Sequence, residues 1–116
     1  MTTEPSFFSK NTAEKFIAEF GSHRYVVLVE IYSMELKQKT EKAISSEDIN
    51  SVRDLAHSLI SSTHAVGLLQ LASYFQAIQD LSTSDNILQI KKKVLDTLAL
   101  KEKSLFALDE FLSNCF

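Results

Sequence analysis

Apolar residues recur along most of the chain at the three- and four-residue spacing of helices that are buried on one side. Near the C-terminus, for example, Ile90, Val94, Leu98 and Leu105 continue one such stripe. The pattern predicts a tail over residues 1–10, followed by one short and four long helices. Their expected ranges are about 12–20, 22–44, 47–64, 68–81 and 84–113.

The centre of the second predicted helix is a segment whose composition favours a strand. Residues 25–32 read YVVLVEIY, which is rich in β-branched and aromatic side chains. We nevertheless predict a helix, because helix-forming residues continue without a break through residues 34–43 and no partner strand is visible elsewhere.

Capping and helix-breaking residues mark the predicted boundaries. Gly21 is expected to end the first helix and Gly67 the third. Asp48 follows Ser45 at the spacing of a capping box, and residues 82–86 form a polar turn before the last helix. The expected N-caps of the second, third and last helices are Ser22, Ser45 and Ser84.

The composition also favours helices. The 116 residues include two Gly and one Pro, whereas about fourteen such residues would be average for this length. Sheets and phosphate-binding loops need Gly and Pro in their turns, so both are disfavoured. We therefore predict a single all-α domain spanning residues 1–116, an up-down-up-down four-helix bundle with the short first helix closing one end.

The charge balance and the lack of patterns for a membrane-spanning helix, a signal peptide or a metal site disfavour several classes of function. The chain has 12 basic and 15 acidic residues, a balance that does not favour nucleic-acid binding. No apolar run reaches the roughly 18 residues of a transmembrane helix, and residues 1–5 lack the features of a signal peptide. Cys115 has no second cysteine to pair with, and the histidines lack the close spacing of metal ligands. We expect a cytoplasmic protein without a membrane, nucleic-acid or metal partner.

The third predicted helix carries a histidine at the flank of its apolar face. Ala56 and Leu59 lie on the core side, and His57 points about 120° away from the middle of that side. Arg53 and Ser61 lie one turn before and one turn after His57, so both can neighbour it. His57 is therefore expected at the surface, where a histidine taken alone is most often a residue without a special role.

The fourth predicted helix has a polar residue on its apolar side. Gln79 lies on the same side as Leu71, Phe75 and Ile78. An amide near a core must find hydrogen-bond partners or lower the stability by about 1 kcal/mol or more. Two interpretations stay open, since Gln79 can bind a neighbouring backbone group or can serve the flank that carries His57.

Together these features resemble the signature of histidine phosphotransfer (HPt) domains. Residues 56–62 read AHSLISS and Gly67 follows ten residues after the histidine, where the family has Ala-His-x-Leu-Lys-Gly-Ser and a Gly at the same offset. Gln79 matches a family position near the phosphorylated histidine. Residues 19–22 (EFGS) and 28–36 (LVEIYSMEL) are similar to the first two helices of the family. The chain resembles most the stand-alone LuxU-type shuttles of quorum-sensing phosphorelays.

Two positions depart from the family pattern. The usual Lys three residues after the histidine is Ile60, and the usual Gly that follows is Ser61. A small Ser leaves room for a partner, but the missing Lys removes a cation that would stabilise the charge of the phosphoryl group. Arg53, in the preceding turn, is our candidate to replace it.

The resemblance implies a phosphoryl carrier and not a stand-alone kinase or hydrolase. His57 would carry a phosphoryl group between the receiver domain of a hybrid sensor histidine kinase and the receiver domain of a response regulator, in either direction. The receivers would supply the aspartate and the Mg²⁺, so the chain itself, expected to be a monomer, would need no cofactor. The expected supporting residues are Gln79, Arg53, Ser61 and His64. The expected docking residues are Ile60, Ile17, Phe20 and Gly67.

Other functions stay open. The chain can be a degenerate HPt-fold binding module that docks a receiver or a kinase without transfer, an alternative that Ile60 motivates. It can also be a helical scaffold with no signalling role. A small enzyme has no support, because no companion acid or oxyanion motif accompanies the hydroxyl groups beside His64.

Overall fold

The computed structural model describes residues 8–80 and 87–115, and over these ranges the protein is helical and has no strand. The helices are α1 (Lys10–Phe20), α2 (Ser22–Ser45), α3 (Ile49–Ala65), α4 (Leu69–Asp80) and α5 (Ile87–Cys115). The all-helical prediction is confirmed, and so is the helix through the β-branched centre of α2. In the same two ranges, no helix combines the length and apolar character that crossing a membrane requires.

Helices α2 to α5 form a closed ring in which each helix packs against two of the others. α2 packs against α3 and α5, α4 packs against the same two helices, and α1 contacts α2 and α3. Tyr25, Val29, Tyr32 and Leu36 of α2 are all buried at intervals of three or four residues. Burial of this one face, and not the intrinsic propensity of the residues, therefore decides that the segment is helical.

Two tyrosine hydroxyls are buried where α2 meets the end of α3. Tyr32 Oη lies 2.8 Å from Thr63 Oγ1, and the hydroxyl of Tyr25 donates to the carbonyl of Val66 at 2.8 Å. A buried hydroxyl without a partner would lower the stability by about 1–3 kcal/mol. The two hydrogen bonds therefore stabilise the packing of α2 against the C-terminal end of α3.

The first helix begins earlier than expected. Ser9 caps α1, since its Oγ accepts a hydrogen bond from the N–H of Thr12 at 3.2 Å. Ser9 and Lys10 thus belong to the fold and not to the predicted tail, while residues 1–7 lie outside the described ranges. The predicted cap of α2 is wrong, because Ser22 is already the first helical residue and Gly21 precedes it without a side-chain capping bond.

The third helix is capped by Asp48 and not by Ser45. Asp48 accepts a hydrogen bond from the N–H of Asn50 at 3.1 Å. Ser45 cannot open α3 because it is the last residue of α2, where its hydroxyl donates to the carbonyl of Glu41. The cap predicted at Ser84 lies outside the described residues.

A tight turn at Gly67 joins α3 to α4, as predicted. Gly67 has φ +97°, its N–H bonds to the carbonyl of His64, and the N–H of Leu68 bonds to the carbonyl of Thr63. This pair of hydrogen bonds is the Schellman motif, which ends helices at a left-handed residue. The N–H of Ser9 also donates to the Gly67 carbonyl at 2.6 Å. The segment before α1 therefore packs directly on the turn after α3.

Candidate functional site

His57 lies at the midpoint of α3 and is exposed. Val52, Ala56 and Leu59 lie on another side of the helix and are buried in the core. The surface position predicted from the helical wheel is confirmed. An exposed imidazole nitrogen in the middle of a helix is open to a second protein and is chemically a nucleophile.

Arg53 lies one turn before His57 and is held against α4. Its Nε–H donates to the backbone carbonyl of Gln79 at 3.2 Å, and its side chain is half-buried. This hydrogen bond uses one of the five N–H donors of the guanidinium group. The remaining donors are suited to the oxygen atoms of an anion on the neighbouring imidazole.

Gln79 reaches the flank of α3 through its main chain. It is half-buried near the end of α4, and its carbonyl is the acceptor for Arg53. The prediction that Gln79 lies near this flank agrees with that hydrogen bond. The group that makes this bond is the backbone carbonyl, and the role of the side-chain amide stays a prediction.

The residues that follow His57 in the motif have different environments. Ile60 is half-buried and packs against the core, whereas Ser61 and His64 are exposed. An apolar Ile60 cannot supply the positive charge that a Lys would place there. Arg53 is the one Lys or Arg in the sequence of α3, so it is the cation of this helix that can serve His57.

The two predicted docking residues of α1 differ in exposure. Ile17 is half-buried and packs against the core, while Phe20 is 44 % exposed. The ring of Phe20 lies 4.7 Å from that of Phe16, which holds it at the end of α1. Because α1 contacts both α2 and α3, Phe20 is an apolar surface residue on the helix next to the one that carries His57.

Gly67 does not belong to an exposed docking surface. It is buried, and a Cβ at this position would lie 2.9 Å from the Ser9 carbonyl oxygen and 3.0 Å from the ring of Phe8. The Phe8 ring in turn lies 4.9 Å from that of Phe111. The structure therefore corrects the docking role predicted for Gly67, because a segment distant in sequence covers it.

A carboxylate near the histidine was missed in the sequence analysis. Asp54 is exposed and lies three residues before His57, a spacing that makes neighbours on a helix surface. It also lines a groove between α2 and α3 together with Lys39 and Ser58. Because like charges repel, Asp54 would oppose a phosphoryl group on His57, whereas Arg53 would favour it.

The site is an exposed side chain and not an enclosed cavity. His57 does not line the small cavity beside Ala56, which measures about 20 Å³. Among residues 8–80 and 87–115, no three His, Cys, Asp or Glu side chains are grouped closely enough to hold a metal ion. The chemistry that this site can offer is therefore that of a solvent-facing imidazole beside a guanidinium group.

Searches of protein-family models, curated proteins and solved structures gave no match to this chain. The resemblance to HPt domains consequently rests on the residues of the chain itself, above all on the motif around His57. Two structural observations agree with that motif. His57 is exposed, and a hydrogen bond holds Arg53 against α4.

Proposed function

We propose that the protein is a histidine phosphotransfer protein in which α2–α5 form an up-down-up-down four-helix bundle and α1 closes one end. The observation that carries the proposal is the exposed imidazole of His57 at the midpoint of α3, with a guanidinium group one turn away. The ring of contacts among α2, α3, α4 and α5 supports the bundle. One chain holds the complete site, so a monomer is a sufficient carrier, acting in the cytoplasm.

The proposed reaction moves a phosphoryl group between two aspartates by way of His57. An unprotonated ring nitrogen attacks the phosphorus of an aspartyl phosphate, and the P–O bond breaks as the P–N bond forms, releasing the aspartate as a carboxylate. A carboxylate oxygen of a second receiver then attacks the phosphorus, and the P–N bond breaks to regenerate the imidazole. One receiver belongs to a hybrid sensor histidine kinase and the other to a response regulator, each with its own Mg²⁺.

Arg53 takes the role of the Lys that the family has at the position of Ile60. Its Nε–H is bound to Gln79 at 3.2 Å, which leaves the terminal nitrogens to bind phosphoryl oxygens. We expect Arg53→Ala to slow phosphorylation about tenfold, which corresponds to about 1.4 kcal/mol. Asp54→Asn is the matched control, because it removes an exposed charge at similar spacing and should leave the rate unchanged or raise it. An unchanged rate in Arg53→Ala would show that the guanidinium group has no part in transfer.

The test of the proposal is a relay between receivers. Receiver domains encoded in the same genome are each labelled on their aspartate and mixed with the wild-type chain or with His57→Gln. The proposal predicts label on the wild-type chain and none on His57→Gln, followed by movement of the label to a second receiver. Wild-type chain that stays unlabelled with every receiver would refute transfer.

A docking module without transfer is the second candidate, and the observation that favours it is the apolar, half-buried Ile60. It predicts that the chain binds a receiver in a titration and never takes up label. Ile60→Lys restores the missing cation and serves as the diagnostic variant. Label that appears only in Ile60→Lys would identify the wild-type protein as a degenerate member of the family.

We assign the docking of a receiver to apolar surface on α3 and on α1, a helix that contacts α3. Phe20 is 44 % exposed and Ile60 is half-buried, so both can contribute apolar area to an interface with a polar rim. Phe20→Ser should weaken receiver binding in the titration without changing the fold. Unchanged affinity would remove α1 from the proposed interface.

A further inference from the structure

The face of α2 that points away from the core carries an exposed apolar stripe. Val27, Ile31 and Met34 are 38 %, 59 % and 65 % exposed. Their spacing of four and then three residues aligns them along one side of the helix, as in the seam of a coiled coil. The residues that α2 buries, such as Val29 and Leu36, lie on its other side. The stripe therefore has the geometry that receives another helix.

Opposite charges stand at the two ends of this stripe. Arg24 precedes Val27 by three residues and Glu41 follows Met34 by seven, so both continue the heptad spacing, and both are exposed. Arg24 also lies in the first turn of α2, where the helix dipole disfavours a positive charge. Within one chain this arginine is thus poorly placed, and a carboxylate from outside would compensate for it.

We propose that a second copy of this chain docks on the stripe, with the two α2 helices antiparallel and Ile31 of each facing Met34 of the other. The two-fold symmetry of such a dimer makes every contact occur twice. In this register the apolar residues meet at the centre and the charges meet as opposite pairs. The facing pairs are Arg24 with Glu41, Glu30 with Lys37, and Val27 with Gln38.

Other arrangements of the same face bring like charges together. A parallel pair would set Arg24 against Arg24 and Glu41 against Glu41. An antiparallel pair shifted so that Val27 faces Ile31 would set Glu30 against Glu30. Like charges in contact across an interface disfavour the pairing. Charge complementarity therefore selects the antiparallel register centred on Ile31 and Met34.

The extent of the face indicates a weak dimer. From Arg24 to Glu41 the helix runs for roughly 27 Å, and one helix face covers less than the ~800 Å² per partner of a standard interface. We expect monomers at low concentration and dimers in the upper micromolar range. His57 lies on the flank of α3 next to α4, as the hydrogen bond of its neighbour Arg53 to Gln79 indicates, so the dimer leaves it open. The inference does not depend on phosphotransfer.

Analytical ultracentrifugation of the full chain from micromolar to millimolar concentration tests the dimer. Ile31→Ser should raise the dissociation constant about tenfold or more. Arg24→Glu and Glu41→Arg should each weaken association, and the chain with both changes should recover the wild-type value. An equimolar mixture of the two single variants should associate more tightly than either alone, because both end pairs are then complementary. Circular dichroism checks that each variant is folded.

Phe106→Ser is the matched control. Phe106 lies on α5 and is 66 % exposed, comparable with Ile31, so its loss removes a similar apolar surface from another face. The proposal predicts that this variant associates like the wild type. Three results would overturn it: a wild-type chain that stays monomeric at millimolar concentration, a dimer that Phe106→Ser dissociates and Ile31→Ser does not, or no recovery in the charge-swapped double variant.

Discussion

The hydroxyl pair of Tyr32 and Thr63 allows a quantitative test of how α2 packs on α3. The two oxygens are 2.8 Å apart, and the residues are 2 % and 0 % exposed. Thr63→Val keeps the shape of the side chain and leaves the Tyr32 hydroxyl buried without a partner, so we expect the free energy of unfolding to fall by about 1–3 kcal/mol. Tyr32→Phe leaves the Thr63 hydroxyl, which can turn to a carbonyl of its own helix, as Thr40 does with Leu36 at 2.8 Å. The expected loss there is about 0.5–1.5 kcal/mol.

The double variant, with Phe at position 32 and Val at position 63, removes both polar groups. It should lower the free energy of unfolding by less than the sum of the two single decreases. We expect a coupling of about 1 kcal/mol. The assay is urea unfolding followed by circular dichroism, with linear extrapolation to water. Thr40→Val is the control, since Thr40 is also buried but bonds only within its own helix and leaves no partner behind. Additive losses, with no coupling, would refute the contact between α2 and α3 at these residues.

Three further predictions concern stability. Burial raises the pKa of the Tyr32 hydroxyl above its ordinary value. The unfolded chain therefore releases this proton above about pH 10, while the folded chain keeps it. The free energy of unfolding, measured with urea, should fall as the pH rises past that value, and it should fall less steeply in Tyr32→Phe. Gly67→Ala places a Cβ at a residue with φ +97°, 2.9 Å from the Ser9 carbonyl oxygen. We expect it to lower the free energy of unfolding by about 1–3 kcal/mol. An unchanged melting temperature would contradict the packing of Ser9 on this turn. Leu71 is 0 % exposed, whereas Leu88 is 76 % exposed. We therefore expect Leu71→Ala to lower the free energy of unfolding by about 2–5 kcal/mol and Leu88→Ala to lower it by less than about 0.5 kcal/mol. Equal losses of stability would argue against the core described above.

Local patterns predict the helices well because each helix buries one side of itself. The same rule explains the centre of α2, where Tyr25, Val29 and Tyr32 follow helical spacing although their residue types favour strands. Helix starts were less predictable, because several residues in a row can serve as a cap. Asp48 and not Ser45 caps α3, and only the position where α2 ends decides between them.

The candidate site shows where prediction from sequence ends. The exposure of His57 follows from its position on the helical wheel, and the structure agrees. The bond from Arg53 to the carbonyl of Gln79 depends on how α3 and α4 pack, so residue types alone do not predict it. Gly67 looked like a surface residue because nothing near it in sequence announces the segment that covers it.

The central claim is that His57 accepts a phosphoryl group, and mass spectrometry of the chain after incubation with labelled receivers tests it most directly. We expect one added phosphoryl group on the peptide that contains His57, and this group should be lost on acid treatment, as is usual for a P–N bond. The group should be absent from His57→Gln and retained in His64→Gln. A phosphoryl group found on His64 or His23, or no increase in mass with any receiver, would contradict the account.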